Sequence, residues 1–230
     1  EFTEKFVHRI RDNSSLNYEL IIVDNGSNKK TQSWVKKVSD NSIIFNENKG
    51  FAKGFNAGLE IAKGEYVLMA NNDTEFPFEW DMKLVECLEK YPKVGLVSPV
   101  YTSGRRIAKR NYSGNRLIKV GRFKRGPSGV AYFMRRMDMI NIFGKWCEDY
   151  KVASGEDADL CMTIWNKDYD ILIDERVLIK HKGKVTSKSK LNDWKKLYSK
   201  NGKQFRKKWF FQHYFPYLAR IVQKFTLLIN

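Results

Sequence analysis

The sequence has few cysteines and no long apolar run, and both absences narrow what the protein can be. Its three cysteines, Cys87, Cys147 and Cys161, have no metal-type spacing, and their odd number and wide spread predict reduced, mostly buried thiols in a cytosolic setting. No apolar segment approaches the length needed to cross a bilayer, and no signal peptide is visible. The sequence starts without Met, inside a predicted helix at residues 4–10, so we expect a fragment of a longer protein.

Acidic residues are scarce relative to basic ones. The sequence has 42 Lys and Arg against 26 Asp and Glu, which gives a net charge of +16 and a pI near 9.7. Such a charge favours an anionic partner: nucleic acid, an anionic membrane surface, or a substrate such as a nucleotide sugar or a lipid-linked phosphate. The alternative is a solvated basic surface with no binding role.

Apolar segments of strand length alternate with amphipathic helical segments. A chain of 230 residues that is 42% hydrophobic can form one sizeable core with an appendage. The predicted strands are residues 18–23, 43–45, 66–70, 94–99, 129–134 and 169–173, and the helices between them include 33–38, 81–90 and 137–143. This alternation predicts an α/β fold with a mixed, mainly parallel sheet flanked by helices. Residues 103–127 are rich in Arg, Lys and Gly and predict a long, mobile loop.

Polar clusters follow two of these strands. Asn71, Asn72 and Asp73 come directly after the strand at 66–70, and Asp24 and Asn25 end the strand at 18–23. Ligands of open α/β sheets bind at the carboxyl ends of strands, where an acid and two amides can hold a hard cation or sugar hydroxyls. The alternative is a plain turn, because Asn and Asp favour turns by bonding their own backbone.

A glycine-rich segment, with Gly50, Gly54 and Gly58, leads into a predicted helix after the strand at 43–45. Glycines permit close backbone approach, and a helix N-terminus suits phosphate or sugar oxygens. The segment matches neither of the usual nucleotide-binding fingerprints, so its signal is weak alone.

Adjacent acids, Glu156 and Asp157, begin another predicted helix after Ser154 or Gly155. Acids in a first turn favour the helix dipole, which is a purely structural explanation. The functional explanation is a general base and its support, held in place because Leu160 and the apolar residues after it dock the opposite helix face on the core. His181 follows an apolar run and is more often a structural histidine than a ligand.

The tail, residues 187–230, interleaves Lys and Arg with aromatic residues. Such a composition is typical of a helix that lies on a membrane surface or docks on a partner. For its first half, a helix packed back on the domain is an equal alternative, whereas surface association is favoured for residues 210–228.

Four blocks in this order resemble the family 2 glycosyltransferases of GT-A fold, particularly bacterial cell-surface polysaccharide enzymes. The resemblance covers about residues 19–181 and rests on order and separation rather than on any one block. The blocks are Val23-Asp24-Asn25-Gly26-Ser27, Asn48-Lys49-Gly50-Phe51 with Asn56-Ala57-Gly58, Asn71-Asn72-Asp73-Thr74, and Glu156-Asp157-Ala158-Asp159-Leu160 with His181.

The resemblance implies a role for each block. It makes Asp157 the catalytic base with Glu156 beside it, Asp73 the metal-binding carboxylate, and His181 an added metal ligand, with Mg²⁺ or Mn²⁺ as the cation. The implied donor-binding residues are Asp24, Asn25, Asn48, Gly50, Phe51, Asn56, Asn72 and Asp73. Because Asn71 and Asn72 stand where many members carry another acid, a weak metal site is expected. The family's usual first strand, with its Pro-Thr-Tyr-Asn-like turn, is missing from this sequence.

The resemblance thus implies an inverting glycosyltransferase, built as a domain at residues 1–186 and a basic aromatic helical extension at 187–230. It would transfer a sugar from a nucleotide-sugar donor to a hydroxyl of a glycan or lipid-linked acceptor. Expected features are a cytoplasmic location at the inner face of the membrane, peripheral membrane contact through the tail, and a homo-oligomer as a further option. The rival predictions are a catalytically inactive nucleotide- or sugar-binding domain and a basic nucleic-acid-binding module; no nucleic acid is expected, because the acids cluster where a ligand would sit.

Overall fold

The computed structural model describes residues 2–103, 106–107, 112–123, 126–150, 154–183, 194–215 and 218. The strands within these ranges are β1 (Ile21–Asn25), β2 (Asn41–Phe45), β3 (Tyr66–Ala70), β4 (Thr74–Glu75), β5 (Val94–Ser103), β6 (Arg106–Ile107), β7 (Leu117–Lys119), β8 (Ala131–Arg135) and β9 (Asp170–His181). The helices are α1 (Phe2–Asn13), α2 (Lys29–Val38), α3 (Phe51–Ile61), α4 (Trp80–Lys90), α5 (Arg136–Asp138), a π-helical turn (Met139–Phe143), α6 (Glu156–Asn166), α7 (Trp194–Lys208) and α8 (Phe210–Tyr214). The mixed α/β fold with a central sheet flanked by helices is confirmed.

The central sheet has the strand order β3-β8-β5-β9-β4, with β6 beside β5 and β7 beside β9. The prediction of mainly parallel pairing is wrong. Only β1–β2 and β5–β9 pair in parallel among the described strands, and the other pairings are antiparallel. A buried strand is a short apolar run in either direction, so the sequence pattern does not reveal that β8 inserts antiparallel between β3 and β5.

Both faces of the central sheet are covered, which explains its continuous apolar strands. Leu96 on β5 and Ile171 on β9 face the core cluster formed with α3, α6 and the π-helical turn. Their neighbours Val97 and Leu172 face the second cluster, formed with α1 and α4. Alternate residues of a strand point to opposite faces, so each strand must be apolar at every position.

Strands β1 and β2 form a separate two-stranded sheet. Among the described strands, β1 pairs with β2 alone and β3 with β8 alone. Ile22 on β1 and Leu68 on β3 are half-buried rather than buried. The expectation that β1 and β3 are buried on both faces is therefore met only in part, because each has an edge that no described strand covers.

Strand β9 is longer than the sequence predicted, since it continues past Ile173 to His181. Its middle carries Asp174 and Glu175, whose side chains are fully buried. Arg176 bonds Asp174 at 3.0 Å, and Arg116 bonds Glu175 at 3.0 Å. These pairings let a charged segment stay within a buried strand, and the continuation carries His181 to the edge strand β4.

The predicted mobile loop is partly ordered by the sheet. Within residues 103–127, β7 pairs with β9, and Arg122 forms ion pairs with Asp168 and Asp170. The expectation of a mobile excursion is therefore wrong for residues 112–123. Residues 104–105, 108–111 and 124–125 lie outside the described residues.

The described part of the tail packs on the domain. Trp209 is 8% exposed, and it joins the same core cluster as Trp165 of α6, with Phe205 packed against it. For residues 194–209 the helix packed back on the domain is the correct alternative. None of the described helices is both long and apolar enough to cross a membrane. Residues 219–230 lie outside the described part of the chain.

Candidate active site

Asp73 and His181 meet although 108 positions separate them in the sequence. The pairing of Thr74 with His181 between β4 and β9 brings them together. His181 Nε2 lies 3.3 Å from Asp73 Oδ1, and the Gly183 N–H donates to Asp73 Oδ2 at 3.1 Å. Burial alone would raise the pKa of Asp73. The hydrogen bond with His181, the electrostatic interaction with it and the hydrogen bond from the Gly183 N–H together outweigh burial, so the pKa of Asp73 is lowered. Asp73 is therefore ionised at neutral pH.

This pair fits a divalent cation only as part of its ligand shell. A carboxylate oxygen and an imidazole nitrogen suit Mn²⁺ or Mg²⁺. No group of three or more His, Cys, Asp or Glu side chains that could hold a metal ion occurs in the described residues. A cation here would need further oxygens from a ligand or water. The side-chain amide nitrogen of the neighbouring Asn72 donates to Thr3 Oγ1 at 2.7 Å.

The ends of β1 and β2 are joined into one unit. The Asn25 side chain accepts from the Lys49 N–H at 2.7 Å and donates to the Gly50 carbonyl at 3.1 Å. Asn48 Oδ1 accepts from the Gly50 N–H at 2.9 Å. Gly26 has φ 89°, and a Cβ there would lie 2.8 Å from the Glu47 carbonyl carbon. The structure thus brings the first two sequence blocks together, with their amides bonded to the loop backbone.

Asp24, at the end of β1, is 5% exposed. Its Oδ1 accepts from the N–H groups of Gly26 and Ser27, at 3.2 and 2.8 Å. This is the local turn bonding that the structural explanation anticipated. A ligand would meet a carboxylate that is already fixed in direction by its own turn.

Asn56 on α3 has a structural role instead of the predicted donor-binding one. Its side-chain N–H groups donate to the Trp146 carbonyl at 2.9 Å and to Glu148 Oε1 at 2.8 Å, and its oxygen accepts from the Trp146 N–H at 2.9 Å. The side chain is 6% exposed. Because its two donors and its oxygen are bonded inside the protein, Asn56 clamps residues 146–148 to α3 and has no donor left for a ligand.

Gly58 and Gly54, the other glycines of this segment, have different surroundings. A Cβ on Gly58 would lie 3.4 Å from Val23 Cγ2, so this glycine allows α3 to approach β1 closely. A Cβ on Gly54 would meet no atom within 4 Å.

Asp157 lies beside the start of β8 and the start of α3. Its Oδ1 accepts from the Ala158 N–H at 2.8 Å, and its Oδ2 accepts from the Gly129 N–H at 3.3 Å. A Cβ on Gly129 would lie 3.2 Å from Asp157 Cβ and 3.5 Å from Phe51 Cζ. Asp157 and Phe51 therefore both lie against Gly129, and the second and fourth sequence blocks meet there.

Residues 129–130 also connect Asp157 to the Asp73 region. While Gly129 donates to Asp157, the carbonyl of the adjacent Val130 accepts from the Asn71 N–H at 3.0 Å. The metal-motif segment and the candidate base are thus held by neighbouring residues. The sequence offered no signal for this bridge, because residues 129–130 read only as the start of a strand.

Glu156 is not an ordinary surface acid at a helix start. Its Oε2 is buried and receives no hydrogen bond from the described residues. Burial is the main cause that raises its pKa to about 7, and the charge of Asp157 adds to it. Dipole capping by a solvated carboxylate does not account for such an environment.

A buried polar cluster around Asp159 was missed by the sequence interpretation. Asp159 is 2% exposed, and it accepts hydrogen bonds from Tyr150 at 2.9 Å, Lys208 at 2.9 Å and Trp209 at 2.7 Å. Asn201, which is 1% exposed, donates to the Ser154 carbonyl at 2.8 Å. The tail thus holds the first turn of α6, which carries Glu156 and Asp157. The fourth block contains Asp159, but its partners lie up to 50 positions away.

A cavity of about 340 Å³ lies elsewhere, between α1 and α2. It is lined by Glu4, Lys5, Val7, His8, Arg11, Trp34 and Val38. None of the predicted site residues lines it, so this cavity is separate from the candidate site.

Comparisons with known proteins identify the family and the fold. The sequence profile described as "Glycosyl transferase family 2" matches residues 1–143. No curated protein sequence is similar enough to count as a match. Among solved structures, Staphylococcus aureus TarS 1–349 with UDP-GlcNAc has a TM-score of 0.65 at 16% identity, over 89% of this chain and 64% of that one.

Two further solved structures share the fold. The Pyrobaculum calidifontis mannosyltransferase PcManGT, in complex with GDP-Man and Mn²⁺, has a TM-score of 0.61 at 19% identity, over 90% of this chain and 59% of that one. GalNAc-T7 with UDP, GalNAc and Mn²⁺ has a TM-score of 0.61 at 14% identity, over 87% of this chain and 46% of that one. This chain thus spans about half to two thirds of the length of these proteins. With the family profile covering more than half of its residues, the chain belongs to glycosyl transferase family 2.

Proposed function

We propose that this chain is an inverting glycosyltransferase. It transfers a sugar from a nucleotide-sugar donor to a hydroxyl of a glycan or lipid-linked acceptor. The observation that carries the proposal is the bridge at residues 129–130, which holds the Asp157 carboxylate next to the segment that ends in Asp73. A base close to a segment that carries an ionised acid suits a displacement between an acceptor hydroxyl and a diphosphate leaving group.

Asp73 and His181 are proposed to hold Mg²⁺ or Mn²⁺ together with the donor diphosphate. Two of the solved neighbours contain Mn²⁺, which supports the proposal of a divalent cation here. When bound, such a cation neutralises the charge of the departing diphosphate. The lowered pKa of Asp73 keeps the carboxylate ionised for this role. The loop that Asn25 and Asn48 brace is proposed to shape the nucleotide pocket, with Asp24, Gly50 and Phe51 on its walls.

Asp157 is proposed to accept the proton of the acceptor hydroxyl as its oxygen attacks the anomeric carbon. Its Oδ2 has only a long hydrogen bond, 3.3 Å from the Gly129 N–H, so this oxygen can take a new partner. Glu156 is proposed to support the base, because burial raises its pKa to about 7, so that its carboxyl is about half protonated at neutral pH and carries less negative charge beside Asp157 than an ordinary glutamate would. Direct displacement by the hydroxyl inverts the anomeric centre.

The proposed setting is the cytoplasmic side of a membrane, where bacterial surface polysaccharides are assembled on lipid-linked acceptors. All three cysteines are free, and Cys87 and Cys161 are buried, as expected for a reducing compartment. Polysaccharide biosynthesis remains part of the proposal.

The test combines donor binding with turnover. Thermal shifts are measured with UDP, GDP and their sugar conjugates, with and without Mn²⁺, and release of the nucleoside diphosphate is then measured for the donor that binds. We expect Asp157→Asn to keep the thermal shift and to lose turnover by about a thousandfold, the loss typical of a general base together with its positioning. Asp12→Asn, an exposed acid on α1, is the matched control.

Two outcomes count against the proposal. Unchanged turnover in Asp157→Asn would refute the base assignment. A wild-type chain that binds a nucleotide sugar with Mn²⁺ but neither transfers nor hydrolyses it would support the inactive binding domain instead. Among the described residues, Asp73 and His181 have no third His, Cys, Asp or Glu side chain beside them to complete a metal site.

A further inference from the structure

Helix α7 has two faces with opposite surroundings. Asn201, Phe205 and Trp209 lie on the inner face, which packs on the domain. The outer face carries a basic row at helical spacing. This row consists of Lys196, Lys200, Lys203 and Lys207, with Arg206 beside it, and all five are exposed. The sequence from 194 to 230 contains no Asp or Glu, so acids of the same segment do not neutralise this row.

The next helix, α8, follows α7 directly and carries an exposed apolar cluster. Phe210 is 57% exposed, Phe211 40%, Tyr214 52% and Phe215 46%, and Leu218 beyond them is 49% exposed. The rings contact one another. The ring centroids of Phe210 and Tyr214 are 5.0 Å apart, and those of Phe211 and Phe215 are 6.0 Å apart. Four aromatic rings in mutual contact, each about half exposed, form a continuous apolar patch of the kind that marks an interaction site.

We propose that this basic–aromatic surface, defined as the lysine row and Arg206 of α7 with residues 210–215 and 218, binds the surface of an anionic lipid bilayer. Exposed lysines followed directly by exposed phenylalanines suit an interfacial segment, because anionic headgroups attract the basic row while the rings enter the acyl boundary. This inference goes beyond the transfer reaction and does not depend on it.

Two other occupants fit the surface less well. A second copy of the chain would place the same basic row against itself, since a symmetric dimer repeats one patch on both subunits. Nucleic acid would satisfy the positive charges but would leave Phe210, Phe211 and Leu218 without an apolar partner. A bilayer satisfies both halves of the surface at once.

The anchoring of α7 ties this surface to the catalytic helix. Lys208 and Trp209 bond Asp159, and Asn201 bonds the Ser154 carbonyl, all at the first turn of α6. Docking of α7 on a bilayer therefore sets the position of Asp157 relative to the lipid surface. That arrangement suits an acceptor that is itself held in the bilayer.

The experiment is cosedimentation of the full chain with vesicles of phosphatidylcholine alone and of phosphatidylcholine with phosphatidylglycerol. We expect binding to the anionic vesicles, little binding to neutral ones, and a decrease at high salt. Phe210→Ser/Phe211→Ser and Lys203→Glu/Lys207→Glu should each weaken binding to anionic vesicles at least tenfold. The matched controls are Phe78→Ser, an exposed aromatic residue far along the chain, and Lys29→Glu/Lys30→Glu on α2, and both should bind as the wild type does.

Three results would overturn the proposal. One is failure of the wild-type chain to bind anionic vesicles, and another is equal binding by the Phe210/Phe211 variant and the Phe78 control. The third is a concentration-dependent dimer in sedimentation velocity that the Phe210/Phe211 variant abolishes, which would assign the surface to a second copy. Donor thermal shifts are also measured on the same variants without vesicles. Because none of the substituted residues lies in the candidate active site, these shifts test the transferase proposal independently of vesicle binding.

Discussion

Lys208 at the end of α7 donates a hydrogen bond of 2.9 Å to Asp159 in the first turn of α6, across 49 positions of sequence. Burial lowers the pKa of Lys208, but its hydrogen bond and attraction to Asp159 outweigh burial and leave the pKa raised. Asp159 is buried and also bonded by Tyr150 and Trp209. The bond thus connects the described tail to the helix whose first residues are Glu156 and Asp157.

Replacing Lys208 should therefore affect both stability and catalysis. Lys208→Met removes the positive partner of a buried carboxylate, and we expect a loss of about 1–3 kcal/mol in the free energy of unfolding. Turnover should fall more than donor affinity, because the first turn of α6 loses an anchor. Urea denaturation and steady-state kinetics measure the two effects.

The neighbouring Lys207→Met is the matched control, since Lys207 is exposed on the outer face. The double variant Asp159→Asn/Lys208→Met should regain part of the lost stability, because no unpaired buried charge remains. Equal stability of the Lys208 and Lys207 variants would contradict the anchoring role.

From the pairing of Asp73 with His181 we expect donor binding to depend on a divalent cation. Asp73→Asn keeps a hydrogen-bond acceptor for Gly183 but removes the charge, and His181→Gln removes the imidazole. Each should weaken Mn²⁺-dependent binding of the nucleoside diphosphate by about tenfold to a hundredfold, the loss expected for one charged ligand. Titration calorimetry with and without Mn²⁺ measures this, and Asp12→Asn serves as the control. Full turnover in excess chelator would remove the cation from the proposal.

The close contact of Gly129 with Asp157 leads us to expect that a side chain at position 129 disturbs the candidate base. Gly129→Ala places a methyl carbon 3.2 Å from Asp157 Cβ and 3.5 Å from Phe51, so the acid must shift by a few tenths of an ångström. We expect turnover to fall by about tenfold, since small displacements of a catalytic group are costly, with little change in melting temperature. Gly54→Ala on α3 is the control, because a Cβ there meets no atom within 4 Å. Equal turnover in both variants would show that the position of Asp157 is not critical.

The raised pKa of Glu156 leads us to expect that the free energy of unfolding depends on pH. Its pKa is raised to about 7 in the folded protein from an ordinary value of 4.5, so the folded state binds the proton more tightly than the unfolded chain does. The contribution of Glu156 to the free energy of unfolding is therefore complete below about pH 4.5 and is lost as the pH rises through about 7. The change amounts to ~3 kcal/mol over that window.

Glu156→Gln should flatten the dependence between pH 5 and 8, whereas Glu65→Gln, an exposed acid, should leave it unchanged. Chemical denaturation at several pH values provides the comparison. A Glu156→Gln variant with the wild-type slope would show that this carboxyl does not titrate in that window.

The sequence by itself determined most of the helices and the main buried strands, but not β4, β7 or the continuation of β9 to His181. It also showed that acidic clusters stand at the ends of strands and at the start of a helix. The run at 66–70, for example, is short and apolar and ends in Asn71-Asn72-Asp73, a pattern that neighbouring residues alone define. The order of the four blocks was enough to predict the family. The roles of Asp24, Asp73 and Asp157 remain proposals, since no ligand contact tests them.

Only the tertiary structure decided which distant groups meet. Pairing of β4 with β9 sets His181 against Asp73, residues 129–130 join Asp157 to the end of β3, and α7 brings Lys208 to Asp159. The same long-range packing engages the Asn56 side chain in hydrogen bonds inside the protein. It also makes most strand pairs antiparallel. Local periodicity and turn chemistry depend on residues a few positions apart, whereas these partnerships depend on strand direction and on how separate helices pack, which no local pattern encodes.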